Sequence, residues 1–285
     1  MRLQDYDISE KYTARVLKTT RITPVTTDEV RDIVLEVERP DFRYEVGQSI
    51  GVLVPGPHAF GNPYHFRLYT VADLHTVKKN QNPRITICVK RVSYIDEYNG
   101  EQYQGVASNY LCDKAPEDTI TITGPYGIAF DVPEEKDADI LMFGLGTGIA
   151  PFRAFIKKLY KDKSDWEGKV RLFHGARTGM ELLYMNQEND DLKHYYDKDT
   201  FAAFEALSPR PHWDDPVAFD YAIEERAEEV WDMLKAPHTN VYVAGQQRIM
   251  EVLDKAFSRL AGSEEKWQRR KAELAAGKRW HELIY

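Results

Sequence analysis

A glycine-rich turn between an apolar strand and a helix is the strongest chemical signal in the sequence. Over Phe143–Phe152, three glycines occupy alternate positions after the apolar run, and Pro151 falls in the first turn of the expected helix. Glycines let the backbone approach a pyrophosphate closely, and a helix start offers free N–H groups and partial positive charge. The pattern predicts a nucleotide-binding loop at Gly146–Gly148.

Two further motifs carry less information when each is taken alone. The segment Arg67–Thr70 is compatible with an ordinary strand in which Tyr69 is packed and the Arg67 side chain is exposed. The segment Gly105–Leu111 is compatible with a loop that leads into a helix with Ser108 as its N-cap. A helix start of this kind could also face a pyrophosphate.

The elements that must position these motifs change character along the chain. From about Tyr12 to Phe130, short strands alternate with Gly/Pro turns, which favours an antiparallel barrel or sandwich. Strands are predicted at Ile33–Val37, Ser49–Val54, Arg67–Val71, Ile85–Lys90 and Thr119–Thr123.

After the acidic link Pro133–Lys136, strands alternate with helices, which predicts a doubly wound parallel sheet of the Rossmann-like α/β class. The strands are predicted at Ile140–Phe143, Val170–His174, Thr200–Phe204 and Val241–Ala244. The helices are predicted at Pro151–Lys161, Arg177–Asp190, Ala222–Leu234, Gln247–Leu260 and Glu264–Lys278.

Composition narrows the class of protein. The 285 residues are 42% hydrophobic and 29% charged, the balance of a folded soluble protein, and the net charge of −8 argues against a nucleic-acid binder. Cys88 and Cys112 form no CxxC pair, so we expect no metal or iron–sulfur site, and any one-electron centre must lie on another protein. The absence of a membrane-span-length apolar run and of a signal-peptide core predicts a cytoplasmic location.

Taken in chain order, these motifs resemble the plant-type ferredoxin–NADP(+) reductase family. The resemblance runs from about residue 12 to 285 and is carried by Arg67–Thr70, Gly105–Leu111 and Gly146–Arg153. Further matches are Gly47–Val52, Cys88–Tyr94, Gly124-Pro125, Gly175–Tyr184 and a Trp280…Tyr285 ending. It implies two domains: an FAD-binding antiparallel β-barrel at 1–134 and an NADP(H)-binding α/β domain at 135–285.

The resemblance also implies which residues hold FAD. Tyr69 would stack on the flavin, Thr70 would hydrogen-bond near flavin N5, and Arg67 would pair with the pyrophosphate. Tyr94 would stack on the adenine. The other residues implied for this site are Leu68, Cys88, Val89, Lys90, Val106, Ala107 and Ser108.

For NADP(H), the resemblance places Thr147 between flavin and nicotinamide. Ser208, Arg210 and Tyr221 would recognise the 2′-phosphate, although Phe219 stands where a Lys is expected and Asp214 and Asp215 intervene. The other residues implied for this site are Gly146, Gly148, Ala176, Arg177, Gly245 and Gln246.

The C-terminal tail is expected to complete the site. Tyr285 would cover the flavin face and move aside for the nicotinamide, so that the cofactor competes with a stacked ring. Leu283 stands where plastid members have an acidic residue, and Glu282 would reach the site only if the tail is kinked. The predicted catalytic residues are therefore Thr70, Tyr285 and Glu282, while His281 is expected to face solvent.

The implied function is electron exchange between NADP(H) and a one-electron carrier, ferredoxin or flavodoxin, with FAD between them. Ala244 replaces a family Cys, which together with the altered tail leaves open an NAD(P)H-dependent reductase component of a multi-protein oxygenase. A non-catalytic redox-sensing flavoprotein is a further alternative. An acidic partner needs a local basic face. The candidates are Lys78, Lys79, Arg84, Lys90, Arg91, Arg269, Arg270 and Lys271.

Overall fold

The chain divides into two units, Met1–Asp131 and Val132–Tyr285, each with its own sheet and core. The structure is a computed structural model that describes residues 3–58, 61–75, 81–96, 98–162, 165–195, 199–211 and 216–285. Within those ranges, no helix is long and apolar enough to cross a membrane. Lys78, Lys79, Asp214 and Asp215 lie outside the described residues.

The first unit is built on a six-stranded antiparallel sheet with strand order β4-β3-β8-β1-β2-β5. This confirms the strand-rich, antiparallel architecture predicted from the turn spacing. The strands are β1 (Tyr12–Arg21), β2 (Val30–Val37), β3 (Ser49–Pro55), β4 (Tyr64–Thr70), β5 (Arg84–Lys90) and β8 (Thr119–Tyr126). A separate hairpin is formed by β6 (Ser93–Ile95) and β7 (Gln102–Gln104), and the helix α1 spans Val106–Cys112.

The sheet curls like a barrel but is not closed by a continuous ladder. Its two edge strands approach each other at a single bridge between Val71 and Ile87 among the described residues. One further hydrogen bond runs from the Ala72 N–H to the Thr86 carbonyl at 2.8 Å.

Helix α1 covers one side of the barrel core. Its residues Ala107, Leu111 and Cys112 join the buried side chains of the strands, which alternate inward and outward along each strand. Burial raises the pKa of the Cys112 thiol to about 11, so this cysteine is a neutral packing residue at neutral pH. The buried face of α1 thus packs along its length against the sheet.

The second unit is a five-stranded parallel sheet with strand order β11-β10-β9-β12-β13. The strands are β9 (Ile140–Leu145), β10 (Val170–Ala176), β11 (Phe201–Leu207), β12 (Asn240–Gly245) and β13 (Trp280–Ile284). The helices are α2 (Ala150–Asp162), α3 (Phe219–Glu224), α4 (Ala227–Lys235), α5 (Arg248–Ala261) and α6 (Glu264–Ala276). All six residues of β9 are buried, as expected for a central strand covered on both faces.

The prediction of a helix over Arg177–Asp190 is wrong. Beyond a three-residue 3-10 turn at Gly179–Glu181 the segment is irregular, and Tyr184 has a positive φ of 62°. The Asn186 side chain accepts N–H bonds from Glu188 and Asn189, which offers the backbone an alternative to helical hydrogen bonds.

Two other helix predictions need correction. The helix expected at Ala222–Leu234 is two helices, α3 and α4, which are interrupted at Glu225 and Arg226. At this break the Arg226 guanidinium lies 4.7 Å from the centroid of the Phe204 ring, a cation–π contact. At the C-terminus, Trp280–Ile284 is an edge strand that pairs in parallel with β12.

A histidine lies in the core of the second unit. His174 on β10 is fully buried, and neither ring nitrogen makes a hydrogen bond of good geometry to any described residue. Burial lowers the pKa of His174 to about 4, and the nearby Gly146 backbone offsets part of that lowering. The imidazole is therefore neutral in the folded protein at neutral pH.

His174 makes stability depend on pH. Because its folded pKa is lower than its unfolded value, unfolding takes up a proton between about pH 6.5 and pH 4, so stability falls as pH falls through that range. The loss between pH 7 and pH 5 should be smaller in His174→Phe by roughly 1–2 kcal/mol, measured by urea unfolding. The control variant His238→Gln, at an exposed position, should lose as much unfolding free energy between pH 7 and pH 5 as the wild type. If His174→Phe lost as much unfolding free energy over this pH interval as the wild type, the role of His174 would be contradicted.

Candidate cofactor sites

The Arg67–Thr70 motif occupies the last four residues of β4. Strand alternation places Arg67 and Tyr69 on one face and Leu68 and Thr70 on the other. Arg67 is exposed, and its guanidinium donates a hydrogen bond to the neighbouring Phe66 carbonyl at 2.8 Å. An exposed guanidinium on an edge strand is available for an anion such as a phosphate.

Tyr69 and Thr70 are each held by the surrounding barrel. Tyr69 packs against the core of the first unit, and burial raises the pKa of its phenol above the ordinary value. The Thr70 hydroxyl lies 3.0 Å from the Ser49 hydroxyl, its register partner on β3. Ser49 was not among the predicted residues, although its place in the Gly47–Val52 match was a usable signal.

Ser108 is the third residue of α1 and not its N-cap. The N-cap is Gly105, which caps with no side-chain hydrogen bond. The Ser108 hydroxyl accepts the Val92 N–H at 3.2 Å and donates to the Gly105 carbonyl at 3.3 Å. The N-cap prediction is wrong because a serine in the first turn of a helix can also hydrogen-bond the backbone of the preceding loop.

Asn109 and Arg91 form a second set of hydrogen bonds between α1 and the preceding loop, which the sequence analysis did not predict. The Asn109 amide donates to the Val92 and Gly105 carbonyls at 2.9 and 2.8 Å and accepts from Arg91 at 2.8 Å. Arg91 also bonds Glu29 and Asp113, each at 2.8 Å. Arg91 is therefore a structural cation, and its predicted place in a partner-docking face is not supported.

Burial limits which side chains of the segment Cys88–Lys90 could make the FAD contacts that the sequence predicted. Val89 is fully buried in the core and Cys88 is 7% exposed, so any cofactor contact there must come chiefly from backbone atoms. The Lys90 ammonium pairs with Asp28 at 2.7 Å. Ala107 is likewise buried, which leaves Val106, 41% exposed, as the accessible side chain at the start of α1.

Tyr94 presents an open aromatic face on the β6–β7 hairpin. Its side chain is 56% exposed and stacks on Tyr103, with ring centroids 5.8 Å apart and planes 26° apart. Tyr103 was not predicted, but the hairpin register that pairs it with Tyr94 could have indicated it. The pair is a platform suited to a flat ring such as adenine.

The glycine loop follows β9 directly. Gly146 has a φ of +56°, and Gly146–Ile149 forms a tight 3-10 turn that leads into α2. At Gly148 a Cβ atom would lie 2.2 Å from the Ala244 carbonyl oxygen of β12. The loop can therefore lie against the end of β12 only because Gly148 has no side chain. The approach of this loop to a pyrophosphate stays a prediction.

Tyr285 is tethered to this loop at two points. Its backbone N–H donates to the Gly245 carbonyl at 3.1 Å, and its hydroxyl lies 2.6 Å from the Thr147 hydroxyl. Gly245 itself has a φ of +140°. The ring is 58% exposed, so the terminal tyrosine is positioned at the loop without being buried there.

The tail is not kinked, so Glu282 does not turn toward Tyr285. Over its whole length β13 keeps an unbroken parallel register with β12, and the Glu282 carboxylate accepts the indole N–H of Trp280. A catalytic part for Glu282 has no support in this geometry. His281 is half-buried and stacks on Tyr242 at a centroid distance of 4.5 Å, so the expected solvent-facing position is wrong.

The residues predicted for the 2′-phosphate lie after β11 and on α3. Ser208 is 6% exposed, and its N–H contacts the Arg177 carbonyl at 3.3 Å. Arg210 is exposed, and Tyr221 on α3 is 69% exposed. Phe219 is fully packed in the core, which explains why no charged residue stands there.

Two further predicted residues, Ala176 and Arg177, flank the end of β10. Ala176 is buried in the last position of the strand, and the exposed Arg177 pairs with Glu181 at 2.8 Å. Gln246, immediately after β12, is exposed. The carboxyl ends of β9, β10 and β12 thus gather the glycine loop, Arg177 and Gln246 at one edge of the sheet.

The C-terminal basic residues are engaged in the second unit. Arg270 donates to the Leu234 and Ala236 carbonyls at 2.6 and 3.0 Å, so it caps α4. Lys271 pairs with Asp254 at 3.0 Å. Arg269 has only a loose pair with Glu265 at 3.6 Å and is the exposed cation of the three.

Comparison with known proteins finds a matching domain family and relatives similar to most of this chain. A model of the oxidoreductase NAD-binding domain family matches residues 142–255. A ferredoxin–NADP reductase from Picosynechococcus sp. is 32% identical over 267 residues, which cover 90% of this chain and 65% of that relative. A ferredoxin–NADP reductase from Spirulina sp. is 31% identical over 265 residues, which cover 91% of this chain and 90% of that relative.

A solved structure has the same fold. The ferredoxin–NADP+ reductase from Plasmodium falciparum superposes with a TM-score of 0.72 at 18% identity, and the match covers 98% of both chains. The barrel-like sheet followed by a parallel α/β sheet is therefore an architecture shared with that protein.

Gly148→Ala should disturb the glycine loop. The new Cβ would clash with the β12 backbone, so we expect a loss of roughly 1–3 kcal/mol in unfolding free energy and weaker NADP+ binding. Gly146→Ala meets open space but a positive φ, and should cost only about 1–2 kcal/mol. Gly179→Ala, with open space and no positive φ, is the neutral control. Wild-type stability and NADP+ affinity in Gly148→Ala would refute the close approach.

The Thr147–Tyr285 hydroxyl pair should behave as one unit in a double-mutant cycle. Removing either hydroxyl, by Thr147→Val or Tyr285→Phe, frees the tail from the loop, and we expect NADP+ to bind a few-fold more tightly. The double variant should gain little more, with a coupling energy of about 0.5–1.5 kcal/mol from titration calorimetry. Fully additive effects would show that the two hydroxyls act independently.

Proposed function

Because the chain belongs to the ferredoxin–NADP reductase family, we propose that it is an FAD-dependent oxidoreductase that exchanges electrons between NADP(H) and ferredoxin or flavodoxin. Ferredoxin–NADP reductase is the name of both relatives described above, so the relatives support this function over an oxygenase reductase component or a non-catalytic flavoprotein. The cytoplasmic location predicted from the sequence stays a proposal, which cell fractionation tests.

The observation that carries the proposal is the glycine cradle at the end of β9. A Cβ at Gly148 would meet the β12 backbone, so the loop backbone lies deep at the sheet edge, where a pyrophosphate can contact N–H groups at the start of α2. The exposed Arg177 and Gln246 flank this edge. These features fit a dinucleotide, and Gly146, Thr147 and Gly148 would hold its pyrophosphate and nicotinamide ends.

The first unit offers residues that fit FAD. The exposed Arg67 guanidinium suits the pyrophosphate, and the Tyr94–Tyr103 platform suits the adenine. Val106 and the Ser108–Gly105 tie shape the start of α1 beside them. Tyr69 would lie against the flavin ring, and its burial keeps the phenol neutral.

When bound, the flavin supplies the chemistry, because it accepts a hydride from a nicotinamide and releases electrons singly to a carrier. The chain's own residues orient the reactants. The Thr70 hydroxyl, held by Ser49, is positioned to hydrogen-bond a polar flavin edge, while Thr147 and Tyr285 set the access of the nicotinamide to the loop.

Anaerobic stopped-flow reduction tests the proposal. NADPH should reduce the FAD-loaded protein much faster than NADH at equal concentration, and ferredoxin should then be reduced in turnover. Thr70→Val should retain FAD but reduce it about tenfold or more slowly, because the orienting hydroxyl is lost. Thr119→Val, an exposed strand threonine, is the matched control. An FAD-loaded protein that neither nicotinamide reduces would refute the function.

A further inference from the structure

His174 is a buried polar side chain that has no part in the function proposed above. It lies on β10 with no exposed surface, and neither ring nitrogen has a hydrogen-bond partner of good geometry among the described residues. A neutral imidazole always carries one N–H donor and one acceptor nitrogen. A buried donor without a good partner destabilises the folded state, so the presence of a histidine at this position needs an explanation.

Strand register places the His174 ring on the side of the sheet that the glycine loop covers. His174 pairs with Gly144 of β9, and register partners in a parallel ladder project from the same face. A Cβ at Gly144 would meet the Phe152 ring at 3.2 Å and the Ile149 Cα at 3.5 Å. Ile149 ends the glycine turn and Phe152 lies in the first turn of α2, so His174 lies beneath the glycine loop.

The residues around His174 in the sheet agree with this orientation. A Cβ at Gly175 would meet the Phe219 ring of α3 at 2.4 Å, so the next residue along β10 faces the opposite side of the sheet. Glu205 of β11 is the other register partner of His174 and shares its face, but it is exposed and makes no hydrogen bond to the imidazole. The carboxylate of the adjacent strand therefore does not pair with the buried ring.

The Gly146 backbone is the part of the glycine loop that acts on the imidazole. Burial lowers the pKa of His174 to about 4, and a hydrogen-bond interaction with the Gly146 backbone opposes that lowering. Only an acceptor favours the protonated ring, so the interacting group is the Gly146 carbonyl, although the geometry falls short of a full hydrogen bond. Gly146 has a φ of +56° and is the first residue of the turn, so its orientation sets the course of the loop.

We propose that His174 is a positioning residue of the nucleotide site, whose buried N–H holds the Gly146 carbonyl and thereby fixes the glycine loop in the conformation that accepts a pyrophosphate. The imidazole acts from behind the loop and touches no cofactor. Its strained contact contributes little to folding, so the chain gives up stability at this position in exchange for a defined loop. The inference rests on the proposed function and adds the residue that orients its nucleotide loop.

Two measurements on the FAD-loaded full chain, urea unfolding and calorimetric titration with NADP+, test this role together. His174→Leu removes a poorly paired buried donor, so its unfolding free energy at pH 7 should equal or exceed that of the wild type. Its NADP+ affinity should nevertheless fall about fivefold to tenfold, because the Gly146 carbonyl loses its donor. A side chain that only fills space would change the two quantities in the same direction.

Amide variants and a matched control separate the donor from the packing. His174→Asn and His174→Gln each keep an N–H donor near the place of one ring nitrogen, so at least one of them should hold NADP+ affinity within about twofold of the wild type. Thr239 is also fully buried with an unpartnered hydroxyl among the described residues, but it precedes β12 at the opposite end of the sheet. Thr239→Val should therefore keep its stability and its NADP+ affinity unchanged.

Two results would overturn the role of His174. One is wild-type NADP+ affinity in His174→Leu. The other is an affinity that falls in the leucine variant and in both amide variants alike, which would show that the site requires the shape of the ring and not its donor. In either case continued reduction of FAD by NADPH in the wild type would leave the proposed function standing. Wild-type protein that neither binds NADP+ nor is reduced by NADPH would refute the function itself.

Discussion

The organisation of the second unit depends on one backbone contact, the approach of Gly148 to the Ala244 carbonyl at the end of β12. No side chain can be tolerated at that point, so the turn after β9 lies directly against its neighbouring strand. The same strand end provides the Gly245 carbonyl that anchors Tyr285. A close contact between the turn after β9 and the end of β12 therefore places the glycine loop and Tyr285 side by side.

The register of the edge strand extends this arrangement. Because β13 pairs with β12 without interruption, Gly245 lies opposite Ile284 and the next residue reaches the loop. Backbone hydrogen bonds to β12 therefore position the tail along the sheet edge. The hydroxyl contact between Thr147 and Tyr285 then joins the end of the tail to the glycine loop. Under the proposed function, a cofactor that enters at this edge would compete with the Thr147–Tyr285 and Gly245–Tyr285 hydrogen bonds.

In the first unit, polar ties hold the start of α1 in place. Ser108 and Asn109 both bond backbone atoms of Val92 and Gly105, and Arg91 joins this group to Glu29 and Asp113. Such ties fix the loop that precedes the helix without a conventional cap. Arg91, one of the cations predicted for partner docking, therefore forms ion pairs within the unit instead. Basic residues in a sequence do not by themselves define a docking face.

The sequence by itself determined the two architectures, the glycine loop and the motif residues on β4, because strand alternation, turn chemistry and close backbone approach are local properties. Only the tertiary structure decided which side chains contact one another. Arg153, buried against Asp191 and the Tyr184 ring, holds the Arg177–Asp190 segment in an irregular path that helical propensity did not indicate. The tertiary structure also pairs Thr70 with Ser49 and keeps the tail straight, so that the Glu282 carboxylate accepts the Trp280 indole N–H. These contacts join residues distant in sequence or depend on strand register, so no local pattern specifies them.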